Sequence, residues 1–153
     1  MIAFLNWYYG PKEIDAILEG LPLPKAGAYH AVDFWNGSYQ RIEAGKATAL
    51  DVPAHGVRLL ALRPVQDLPA WVGDTLHISQ GMAVKRWSAG SQALRAELDL
   101  GRQAEGTIWI ALQARPQAII LNGNALPWRE AGHGVYAVDV SFEGLAVLEI
   151  NWD

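Results

Sequence analysis

VPAHGVRLLALRPVQDLPAWVGDTLHISQG, residues 52–81, decides how the chain divides. After Pro53 and Gly56, the apolar run Val57, Leu59, Leu60, Ala61 and Leu62 is interrupted only by Arg58 and closed by Arg63. Such a run suits a strand covered on both faces. It predicts that Leu60 and Leu62 are buried on one face and Val57 and Leu59 on the other. Pro64 and Pro69 then bracket a short polar link. Thr75-Leu76-His77-Ile78-Ser79 restarts an alternating pattern that stops at Gly81, which predicts a further strand over 75–79. Two β-rich halves lie on either side of this stretch, expected as domains at residues 1–66 and 70–153.

Upstream, residues 2–8 (IAFLNWY) are apolar on both alternating faces, and a strand that is greasy on both sides expects a neighbour on both. The chain starts inside this strand, which points to a cut in a longer protein; an ordinary first strand of a small sandwich fits the same pattern. Ile14, Ala16 and Leu18 alternate with Asp15 and Glu19 as a second strand, a run short enough to leave a turn of helix open. Leu21-Pro22-Leu23-Pro24 reads as an extended edge short of ladder amides. Tyr29 to Trp35 is the third strand, Asn36-Gly37 a strong hairpin signal, and Tyr39 to Ile42 the return. Ala47 to Val52 and the run from Val57 make about six strands.

Downstream, Met82, Val84 and Arg86 alternate with Ala83, Lys85 and Trp87. In Gln92 to Leu100 the separation is clean, with Leu94, Ala96, Leu98 and Leu100 inward and Arg95, Glu97 and Asp99 outward. Ile108, Ile110 and Leu112 form an apolar face, Ala118 to Leu121 runs into the turn Asn122-Gly123-Asn124, and Val135 to Val140 and Leu145 to Trp152 close a set of about eight strands. The expected fold class is all-β: two small antiparallel β-sandwich units in tandem, Greek-key or jelly-roll-like.

Composition agrees and excludes several functions. At 153 residues with 51% hydrophobic and 18% charged, fifteen glycines and eight prolines, the chain is globular in composition. Lys and Arg balance Asp and Glu at 6 against 6 in residues 1–64 and fall to 6 against 10 in residues 65–153. A mildly acidic chain without a basic stripe argues against nucleic acid as partner. No window reaches the roughly 18 apolar residues of a membrane span. The absence of cysteine removes disulfides and thiolate chemistry, and together with the lack of a basic leader it favours a reducing, cytoplasmic location. No phosphate-cradling loop follows the glycines, so no cofactor is expected.

In this order, LNWYYGPKEIDAILEGLPL, YHAVDFWNGSYQ and DVPAHGVRLLALRP resemble the C-terminal β-domain of melibiase-type α-galactosidases and related glycoside hydrolases. WVGDTLHISQG is similar to the stretch that continues into a second β-domain in some of them. The resemblance covers most of residues 2–81, and past Gly81 it rests on strand rhythm. It implies a non-catalytic accessory region of a glycoside hydrolase whose partner is a catalytic (β/α)₈ barrel. The family's catalytic carboxylates sit on that barrel, so the resemblance carries no catalytic residue onto this chain.

The residues themselves offer few reactive groups. Glycoside hydrolysis needs two carboxylates across the scissile bond. Asp33, before an Asn-Gly turn, fits a structural acceptor for turn amides better than a catalyst. His55 and His77 lack a nucleophile elbow, and Asp74 is the only acid close enough to His77 for a shared metal, so both read as structural histidines. The seven tryptophans and five tyrosines are the functional lead, because a sugar's C–H face packs on an aromatic ring. Trp35 and Tyr39, with Asn36 on the same hairpin, and Trp128, beside Arg129 and Glu130, are the candidate carbohydrate-binding residues. Trp7, Trp109 and Trp152 read as core. The alternatives to an accessory domain are therefore a carbohydrate-binding module or a free-standing structural sandwich.

Overall fold

Alternation of apolar residues along nearly every segment produces strands and no helix among the described residues, which are 1–66 and 68–153 of a computed structural model. The strands fall into two compact units, Met1–Gln66 and Asp67–Asp153, and every pairing is antiparallel. The fold class is all-β, as expected.

The first unit holds β1 (Ile2–Leu5), β2 (Lys12–Ala16), β3 (Ala28–Asp33), β4 (Ser38–Glu43), β5 (Thr48–Val52) and β6 (Val57–Pro64). A four-stranded sheet in the order β1-β6-β3-β4 faces the ribbon β2-β5. Tyr29, Ala31, Ile42 and Leu60 from the sheet meet Ala16, Leu50 and Val52 from the ribbon in one buried cluster, which Leu18 joins. The segment after Lys12 is thus a strand and not a turn of helix. Leu21-Pro22-Leu23-Pro24 joins no sheet and is not an edge strand: it follows the turn at Glu19-Gly20, where the Leu21 amide donates to the Leu18 carbonyl, and bends as the Leu23 amide donates to the Leu21 carbonyl.

Two expectations about this unit change. The first strand ends at Leu5, and Trp7 is 77% exposed instead of buried. Val57 is also exposed, at 37%, because it pairs with the 50% exposed Leu5 at the open end of the β1–β6 ladder; Leu60 is buried and Leu59 and Leu62 are half-buried.

The second unit holds β7 (Ala70–Asp74), β8 (Val84–Ala89), β9 (Ala93–Leu98), β10 (Ala104–Ala111), β11 (Pro116–Leu121), β12 (Asn124–Ala125), β13 (Trp128–Gly132), β14 (Val135–Phe142) and β15 (Ala146–Trp152). Its sheets run β13-β14-β10-β7 and β12-β11-β15-β9-β8. The pairs β9–β15 and β10–β14 are nested, so strands distant in sequence close the sandwich in jelly-roll fashion. Leu94, Leu98, Leu148 and Ile150 from one sheet pack on Ile108, Ile110, Val138 and Val140 from the other. Each fully buried side chain of this size costs about 2 to 5 kcal/mol when cut to alanine.

The strand expected at 75–79 is absent. The strand is β7, one step earlier, and Thr75 to Met82 is a turn wound around the Asp74 carboxylate. Gly106 on β10 admits this turn: a Cβ there would meet Thr75 Oγ1 at 2.7 Å, the same hydroxyl that accepts the Thr107 amide at 2.9 Å.

The two Asn-Gly turns differ. At Asn122-Gly123 both residues have positive φ, 50° and 81°, and Leu121 pairs with Asn124, giving the two-residue hairpin expected of that dipeptide. At Asn36-Gly37 only Gly37 has positive φ, and Asp33 pairs with Ser38 across four residues.

Candidate functional site

The β3–β4 turn is wide because the Asp33 side chain fills it. Asp33 Oδ1 accepts the amides of Trp35 at 3.0 Å and Asn36 at 2.9 Å, while Arg58 Nε from β6 donates to Oδ2. Arg58 also donates to the Asp51 carbonyl at 3.0 Å, which ties the sheet to the ribbon. This buried acid is a structural acceptor, as its position before the turn predicts.

Trp35 leaves this turn 61% exposed, its ring edge-on to Phe34 at 4.8 Å. Tyr39 sits lower in the hairpin, opposite Val32, half-buried. Its hydroxyl lies 2.9 Å from His30 Nδ1, and burial pushes its pKa up to about 12. The raised value favours the neutral phenol, so the stabilisation it carries is complete below pH 10.0 and is lost as pH rises through about 12. Thermal midpoints measured across that window are expected to fall more steeply for the native chain than for Tyr39→Phe. Trp128, on β13 of the second unit, is half-buried against the core, edge-on to Tyr136 at 5.4 Å and under the Arg115 guanidinium at 5.1 Å. The three residues expected to touch sugar thus differ: Trp35 presents an open ring, while Tyr39 and Trp128 are engaged by the protein.

The most exposed rings are those of Trp7, Tyr8 and Tyr9, at 77%, 63% and 94%, and Trp7 is the one that the sequence predicts as core. The three residues form a loop between β1 and β2 held from below by the buried Asn6. Asn6 Nδ2 lies within hydrogen-bond distance of the carbonyls of Gly10, Val52 and Pro53, at 2.9, 3.1 and 3.0 Å, and its Oδ1 accepts the Tyr8 amide at 3.0 Å. The Asn6 amide donates to Gly56 O and the His55 amide to Tyr8 O. His55, in the left-handed region at φ 49°, meets the Tyr9 ring edge-on at 4.8 Å, and Lys12 Nζ lies 4.2 Å from the Tyr8 ring centre. His55 is therefore a bracing residue of this loop. His77 is structural as well, its Nδ1 accepting the Ser79 amide at 3.1 Å.

Alternation explains how this loop adjoins an apolar face. Ile2 and Phe4 point into the core of the first unit, so Ala3 and Leu5 face outward, opposite Leu59 and Val57 on β6. The Phe34 amide donates to the Leu59 carbonyl at 2.9 Å, which brings the Phe34-Trp35 pair alongside. The outer sheet face therefore carries an exposed apolar edge that runs from Leu5 and Val57 towards Trp35. On the ribbon side lies an open cleft of about 720 Å³ lined by Leu18, Leu21, Leu23 and Tyr29, whose hydroxyl donates to the Pro24 carbonyl at 2.6 Å.

No set of three or more His, Asp or Glu side chains gathers as metal ligands among the described residues. The whole chain matches no curated protein. Residues 1–62, reaching into β6, match the family model described as the alpha galactosidase C-terminal beta sandwich domain, so this part of the chain is similar to that domain.

Proposed function

We propose that the first unit caps an α-galactosidase-type (β/α)₈ barrel and contributes no catalytic group of its own. The observation that carries this reading is the outward face of β1 and β6, where Leu5 and Val57 form an exposed cross-strand pair beside the rigid Trp7-Tyr8-Tyr9 loop. A surface of this kind is stabilised by removal from water, and aromatic anchors at the middle of an interface supply most of its binding energy. The buried acid of this unit, Asp33, is closed off by Arg58 and the turn amides. A pair of carboxylates poised across a glycosidic bond is what hydrolysis requires.

The test uses the 153-residue chain and a melibiase-type barrel produced without its own C-terminal domain. The chain alone is expected to leave an aryl α-galactoside intact, to form a one-to-one complex with the barrel in sedimentation, and to raise the barrel's thermal midpoint. Leu5→Asp, which places a charge on the exposed face without touching the core, is expected to weaken the complex at least about tenfold. Turnover by the isolated chain, or a complex indifferent to Leu5→Asp, defeats the proposal.

A further inference from the structure

We infer that the second unit binds a neutral saccharide in the cleft where β10 and β14 run past the end of β13. The register pairs Glu105 with Ser141 and Thr107 with Asp139. Residues directly opposite in an antiparallel pair, and residues two apart on one strand, share a face. These four side chains therefore form a two-by-two polar block.

β13 pairs with β14 only as far as Trp128↔Val138, so the ladder on that side stops before Asp139. The space left there is a cleft of about 480 Å³ in which Leu121 and Leu126, from the neighbouring β11–β12 hairpin, supply the apolar wall. That volume falls within the usual range of small-ligand sites, roughly 300 to 1,000 Å³.

The block is set in advance for hydroxyl groups. The Thr107 hydroxyl donates to Asp139 Oδ1 at 2.5 Å, and Arg129 Nη1 donates to Oδ2 at 3.0 Å, so the carboxylate is fixed in position. The Thr107 bond, with Arg129 beside it, holds the Asp139 pKa below its ordinary value, which keeps it an ionised acceptor. An ionised carboxylate accepts short, strong hydrogen bonds from ligand O–H groups. Ser141, which also lines the cleft, can both donate and accept.

Two carboxylates, Glu105 and Asp139, against one guanidinium leave the block net negative, which disfavours anionic ligands. The leucine wall suits the C–H side of a sugar ring. A neutral ligand with several hydroxyls and one apolar edge meets all of these groups, and a simple ammonium ion would leave the wall and the hydroxyls idle.

Amide shifts of the ¹⁵N-labelled chain during titration with methyl α-galactopyranoside, its gluco and manno counterparts, and methylammonium test this directly. Galactosides are included because of the α-galactosidase-type reading of the first unit. Barrel association and this titration are read separately, so either can fail without the other. The expected result is saturable shifts at Thr107, Asp139 and Ser141 in the millimolar range with at least one hexoside. Asp139→Ala should weaken that binding about tenfold or more, and Ser141→Ala by less, both with an otherwise native spectrum. No shift with any hexoside, saturation with methylammonium alone, or affinity unchanged in a folded Asp139→Ala chain overturns the inference.

Discussion

Asp74→Ala is expected to cost the second unit about 3 to 5 kcal/mol, enough to lower its thermal midpoint by roughly 15 to 30 °C. Asp74 is almost fully buried at the end of β7 and accepts four hydrogen bonds. Its Oδ1 takes the amides of Leu76 at 3.0 Å and His77 at 3.1 Å, and its Oδ2 takes the Gly81 amide at 2.7 Å and Trp71 Nε1 at 3.1 Å. Gln80, itself at φ 41°, completes the ring by bonding the Asp74 amide through Oε1 and the Asp74 carbonyl through Nε2. Alanine leaves those four donors without an acceptor where water has little access. Asparagine does not rescue them: whichever way its amide turns, the NH₂ faces two N–H donors, so Asp74→Asn should lose most of the same stability. Asp99→Ala removes only an exposed bond to the Gly101 amide and should stay within about 0.5 kcal/mol. Denaturant unfolding, with amide exchange followed on β10 and β14, reads all three; a loss below about 1 kcal/mol in Asp74→Ala would show that the turn holds without its carboxylate.

That carboxylate also marks where sequence reading stops. Strands such as β9 are legible because one face is wet and the other dry, so Leu94, Ala96 and Leu98 announce the period by themselves. Thr75 to Ser79 alternates just as well, yet alternation registers only apolar spacing, and here a single acceptor gathers amides two to seven residues ahead of it. β13, Trp-Arg-Glu-Ala-Gly, shows no such period and is a strand because β14 supplies its ladder. Trp7 reads as core for a related reason. Composition says that a ring is apolar but not whether the sheet turns it inward, and the exposed loop becomes visible only when Asn6 is seen to close it. The block of Glu105, Thr107, Asp139 and Ser141 was equally hidden, since its members are joined by the register of two strands about thirty residues apart. The stretches that match the alpha galactosidase C-terminal beta sandwich domain are readable through their punctuation, since Gly10-Pro11, Asn36-Gly37 and Pro53 to Gly56 separate the apolar runs of β1 to β6.

Asn6→Ala should produce the largest change in the first unit, about 2 to 3 kcal/mol of stability together with loss of barrel association. Alanine frees the Tyr8 amide and withdraws the donor shared by the Gly10, Val52 and Pro53 carbonyls, so the loop detaches from the β5–β6 turn that supports it. Asn6→Asp is the sharper variant. It keeps the acceptor for Tyr8 but turns an oxygen towards three carbonyl oxygens, and it should cost at least as much as alanine despite its similar shape. Trp7→Ala separates anchoring from display: its ring is exposed, so stability should change by no more than about 0.5 kcal/mol, while association with the barrel falls about tenfold or more. Unfolding curves and sedimentation on the same three proteins decide between two roles for the loop. If Trp7→Ala binds like the native chain, the aromatic loop lies outside the interface; if Asn6→Ala binds normally while Trp7→Ala does not, the rings act without the rigidity that Asn6 provides.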